Sequence, residues 1–111
     1  MERVSLTETT EAVEDVHLAQ LAAGEEMSVQ HFEFEPDASV PIHDHHHEQS
    51  GFIYEGELTF LLEDGEEFVV EAGDSYVLAG GEVHGAENRG ETPVRGVDVF
   101  SPPRPNPDWS E

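Results

Sequence analysis

Cysteine and lysine are both missing from this chain, and no run of apolar residues is long enough to cross a bilayer or to act as a secretory signal. Without cysteine there is no disulfide framework and no thiolate to bind a metal or attack a substrate. The lack of a long apolar run predicts a cytoplasmic protein with no membrane partner. Positive charge is scarce too: four arginines stand against 26 acidic residues, a formal net charge of −22. Nucleic acid and anionic lipid draw affinity from lysine and arginine at their phosphates, so neither is expected as a partner. The acids are scattered from Glu2 to Glu111 instead of forming one block. That pattern suits a solvated surface adapted to high salt, more than a docking site for a basic protein.

A chain of 111 residues makes one domain and removes about two-thirds of its unfolded surface from water. A second copy covering an exposed sheet edge would add to that burial, so a homodimer is expected. Short apolar stretches separated by turn signals predict an all-β domain. Strands are expected at 17–22, 27–35, 40–46, 50–54, 57–63, 67–71, 75–78, 83–88 and 94–100, punctuated by Pro36-Asp37, Glu55-Gly56, Asp64-Gly65, Gly73-Asp74 and Gly80-Gly81. Residues 1–15 read as an acidic arm or edge strand, 16–100 as a β-barrel and 101–111 as a proline-rich tail.

What the chain does have is histidine in a telling pattern. His43, His45, His46 and His47 lie within the run from Pro41 to Gln49, and His84 follows far downstream. A tag would sit at a terminus, whereas this run is internal. On a strand His43, His45 and His47 would project from one face, and Asp44 and His46 from the other. A local bend could bring Gln49 to the same ion, and His84 must come from a neighbouring strand. Imidazoles with one amide oxygen suit a single divalent transition metal: Zn, Ni, Fe, Mn or Cu.

These residues resemble the two motifs of the cupins, small jelly-roll barrels also described as double-stranded β-helices. The first motif is matched by Asp37, His43, His45, Gln49 and Gly56, the second by Gly73, Ala79, Gly81, His84 and Asn88. Asp37 stands for a glycine and Ala79 for a proline, both at turns. Gln49 stands for the usual glutamate, giving a less anionic site. The resemblance implies a single cupin barrel with His43, His45, Gln49 and His84 as metal ligands.

The end of the chain carries the second signal, Val94-Arg95-Gly96-Val97-Asp98-Val99-Phe100-Ser101-Pro102-Pro103-Arg104. Asp98 and Phe100 share one strand face, so if Phe100 points into the barrel Asp98 does as well. A carboxylate there is costly unless paired, ligated or catalytic. Prolines at 102, 103, 105 and 107 would stiffen an extended tail and hold Arg104 over the cavity mouth. The alternative is an Asp98 facing water and an Arg104 paired with a surface acid. With the histidine motif, this ending is similar to that of the uronate-linearising cupins of pectin and alginate breakdown, the KdgF type. That likeness implies a 4,5-unsaturated monouronate as the small-molecule substrate, and Asp98, Phe100 and Arg104 as the catalytic and substrate-binding set. Two further functions fit the same cage: a metal-dependent dioxygenase or isomerase acting on another small oxygenated substrate, and a non-catalytic cupin that binds a small ligand.

Overall fold

The computed structural model describes residues 1–104. Residues 105–111 of the expected tail, Pro105 and Pro107 among them, lie outside the described residues. Among the described residues there are ten strands and no helix: β1 Thr10–Val13, β2 Val16–Ala23, β3 Ser28–Phe34, β4 Ser39–His43, β5 Glu48–Glu55, β6 Glu57–Leu62, β7 Glu67–Glu71, β8 Ser75–Leu78, β9 His84–Glu87 and β10 Val94–Ser101. They pair antiparallel into a six-stranded sheet, β1-β2-β3-β10-β5-β8, and a four-stranded sheet, β4-β9-β6-β7. This is the all-β jelly roll that the sequence predicts. No described helix is long and apolar enough to cross a membrane.

Alternation along the strands builds the core. On β3, Phe32 and Phe34 turn inward with Ser28 and Gln30; on β10, Val94, Gly96, Asp98 and Phe100 do the same. Phe32, Phe34 and Val94 meet Val16, Ile53, Leu58 and Phe60 between the sheets, each large side chain contributing about 1.5–3 kcal/mol by leaving water. The chain passes from one sheet to the other between β5 and β6 through Gly56 alone, at φ 82°. A Cβ there would lie 2.5 Å from the Pro93 carbonyl oxygen, so the corner needs glycine on two counts. Asp37, standing where the motif has glycine, adopts φ 70°; aspartate tolerates the left-handed region better than most residues.

Asn88, the last residue of the second motif, holds the fold together. Its side chain is buried and donates to the carbonyls of Phe34 at 3.1 Å and Thr92 at 2.9 Å, while the Gly90 amide donates to its Oδ1 at 3.0 Å. The loop before β10 is thereby tied to β3.

Two expectations change. The strand predicted at 40–46 stops at His43, and residues 44–47 form a loop, so His45 and His47 do not share a strand face with His43. Gln49 is not brought in by a bend in that strand. It lies on β5 in the opposite sheet, in register with Phe100 and Leu78. The chain crosses between the sheets here, and the crossing sets both residues.

Candidate metal and substrate site

His43 ends β4 directly opposite His84 on β9, and the loop that follows carries His45 back over them. The three rings stand 4.7 to 5.6 Å apart by centroid, and one nitrogen of each lies within 4.8 Å of the others. His43 Nδ1 is 2.9 Å from the Pro41 carbonyl oxygen and His84 Nδ1 is 2.8 Å from that of Glu82. A carbonyl only accepts, so each Nδ1 carries the proton and each Nε2 presents its lone pair. His45 Nε2 lies 3.2 Å from Gln49 Oε1, while its buried Nδ1 has no hydrogen-bond partner among the described residues.

Burial and the positive charge of Arg104 push His45 down to about 4. Burial likewise lowers His43 and His84 from 6.5. All three imidazoles are therefore neutral at neutral pH, the form that ligates metals. Three neutral imidazoles, an amide oxygen and a ring nitrogen left unsatisfied among the described residues together fit a divalent transition metal. His46 faces solvent. His47 is half-buried at the rim, its ring 5.3 Å from that of His45 and 6.1 Å from that of Phe100.

Three residues from the end of the chain adjoin the histidines, the Phe100 ring 5.8 Å from that of His45. Asp98 and Phe100 point inward, each at most 7% exposed, which rules out an Asp98 facing water. Arg104 is 3% exposed. Its guanidinium carbon lies 5.2 Å from the Phe100 ring centre, and its backbone N–H donates to Ser28 Oγ at 2.9 Å. Arg104 is thus drawn into the cavity and not merely held above its mouth. Burial raises Asp98 from 3.8 to about 6, against hydrogen bonds from Tyr76 and Gln49 and the charge of Arg104. Among the described residues lining the cavity, Arg104 is the one fixed cation. His43, Gln49 and His84 line this cavity together with Asp98, Phe100 and Arg104.

Two members of this site carry no sequence signal of their own. Tyr76, on β8, donates its phenol to Asp98 Oδ1 in a short hydrogen bond. Gly51, on β5, leaves the space that this contact occupies. Gln49 faces both ways: its Oε1 lies toward His45 and its amide donates to the Asp98 carboxylate.

Residues 30–100 match the family profile described as the cupin domain. Among solved structures, KdgF from Halomonas sp. superposes with a TM-score of 0.85 at 23% identity, over 95% of this chain and 96% of that one. An RmlC-like cupin from Shewanella frigidimarina gives 0.82 at 29% identity, over 95% of each chain. The polyketide cyclase RemF from Streptomyces resistomycificus gives 0.83 at 22% identity, over 96% of this chain and 82% of that one. Comparison with curated proteins yields no match.

Proposed function

The chain belongs to the cupin family, and from that membership we propose that it is a metal-binding enzyme that opens the ring of 4,5-unsaturated monouronates from pectin or alginate breakdown. The observation that carries this reading is the buried Asp98 carboxylate, which shares one cavity with His43, His84 and Arg104, beside the Gln49 whose Oε1 lies 3.2 Å from His45. The likeness to KdgF supports it at the level of fold.

His43, His45, Gln49 and His84 would hold the metal, which when bound supplies a Lewis acid for substrate oxygens. Arg104 pairs with the sugar carboxylate through two parallel N–H donors, offsetting the repulsion expected from so acidic a protein. Phe100 packs against the apolar face of the ring. Asp98 accepts the anomeric hydroxyl proton as the bond from C1 to the ring oxygen breaks, leaving an aldehyde at C1 and an enol oxygen at C5. Asp98 then returns the proton to C4, and the C5 oxygen becomes a ketone. Nothing is oxidised or reduced, and one proton has moved from oxygen to carbon.

A homodimer belongs to the same proposal, through a face of the six-stranded sheet instead of an edge. Phe52, Tyr54 and Val77 are exposed there, beside half-buried Val97 and Val99.

The test is incubation of metal-loaded protein with unsaturated monouronates, following loss of the conjugated absorbance and appearance of the keto product by NMR. Asp98→Asn keeps the shape but cannot accept a proton; turnover should fall by about 10² to 10⁴ with metal content unchanged. Arg104→Ala should instead raise KM, by roughly ten- to a hundredfold for a lost charge-assisted pair. An asparagine variant that matches the parent would remove Asp98 from the chemistry. Oxygen uptake by iron-loaded protein would point to a dioxygenase, and saturable binding without turnover to a ligand carrier.

A further inference from the structure

We infer that Tyr76 is the positioning residue for the Asp98 carboxylate, and that glycine at position 51 exists to let the two meet. This rests on the reading of Asp98 as the proton carrier and adds how that residue is aimed.

The geometry is a row across three strands. Asp98 on β10 is in register with Gly51 on β5, and Gly51 with Tyr76 on β8. Strands two apart in a sheet are separated by about 9.5 Å, too far for most side-chain contacts. The tyrosine spans that gap only because the middle strand offers no side chain: a Cβ on Gly51 would overlap both Tyr76 Cζ and Asp98 Oδ1. The Phe60 ring lies 4.7 Å from that of Tyr76 and fixes its angle. The hydroxyl therefore has one place to point, Asp98 Oδ1. Burial and the neighbouring carboxylate raise the Tyr76 phenol well above 10, so it stays a donor. With the Gln49 amide as a second donor, the carboxylate is held in one rotamer and its remaining lone pairs are left for the cavity. Tyr76 lines that cavity yet acts through Asp98, without a place in the proton transfer itself.

Tyr76→Phe removes the hydroxyl and keeps the ring, and the readout is the split between kcat and KM. Loss of aim should lower kcat by about ten- to a hundredfold with KM within about twofold, at parental metal content. Gly51→Ala, which displaces the same ring, should reproduce the kcat loss. Should Tyr76→Phe retain the parental kcat, or should the loss appear in KM or metal content instead, the inference is overturned and the proposed reaction stands. Wild-type protein inert toward every unsaturated uronate overturns the proposed reaction and this inference with it. The wild-type assay alone separates that failure from the first.

Discussion

In the proposed function, Gln49 is where metal binding and acid–base chemistry would meet. One amide group serves both sides: its oxygen faces His45 and its N–H₂ donates to Asp98. A glutamate at this position would set a second anion against Asp98 and offer no donor, raising the proton affinity of the pair. The departure from the usual motif thus follows from the buried aspartate opposite. A different single residue controls a pH response away from the cavity. His17 Nε2 lies 2.5 Å from Glu35 Oε2. That hydrogen bond, with the charges of Glu35, Glu11 and Glu33, raises His17 above 6.5 despite partial burial. A raised folded-state value means that the stabilisation is fully present below the unfolded pKa of about 6.5 and is lost as pH rises through the folded value. His17→Gln should lower the melting temperature by a few degrees at about pH 5.5 and leave it nearly unchanged at about pH 9. Equal drops at both pH values would deny the ion pair its role.

At the scale of elements, the strands were legible wherever alternation and a turn residue coincided. The expected strand at 67–71 is β7 to the residue, and that at 75–78 is β8. The pairing of His84 with His43 followed from the need for a neighbouring strand. The region 44–49 was not legible, because three histidines and two acids look alike whether they alternate along a strand or line a crossover. The crossover puts His45 and Gln49 on the same cavity from different elements, an outcome that only the pairing of β5 with β10 reveals. Asp98 could be tied to Phe100 because both lie on one strand. Its tie to Tyr76 could not be read, since it passes through a glycine on an intervening strand and depends on a three-strand register that sequence spacing does not encode. For residues 1–15 the sequence left an acidic arm and an edge strand open together; β1, Thr10–Val13, lies at a sheet edge, its four residues carrying too little apolar pattern to decide between the two.

For the molecule as a whole, a net charge of −22 on 111 residues sets the conditions under which the barrel and its cavity persist. Self-repulsion opposes the compact state and the approach of a second copy alike. The exposed sheet face eases the second problem: Phe52, Val77, Val97 and Val99 carry no charge, and the nearby Glu33 and Glu55 are both paired with Arg95. Melting temperature should therefore climb with KCl into the molar range, and sedimentation in molar KCl should give a dimer that Val97→Arg converts to a monomer. A midpoint indifferent to salt would assign the acidity to another purpose, and a monomer at all salt concentrations would exclude the face. The cavity's chemistry depends on one premise, that His43, His45, Gln49 and His84 hold a metal. Elemental analysis of protein equilibrated with a divalent transition metal and freed of excess tests it directly. The account predicts about one equivalent per chain, falling to near zero in His43→Ala and His84→Ala; less than about a tenth of an equivalent in the parent protein, with no uptake on titration, would contradict it.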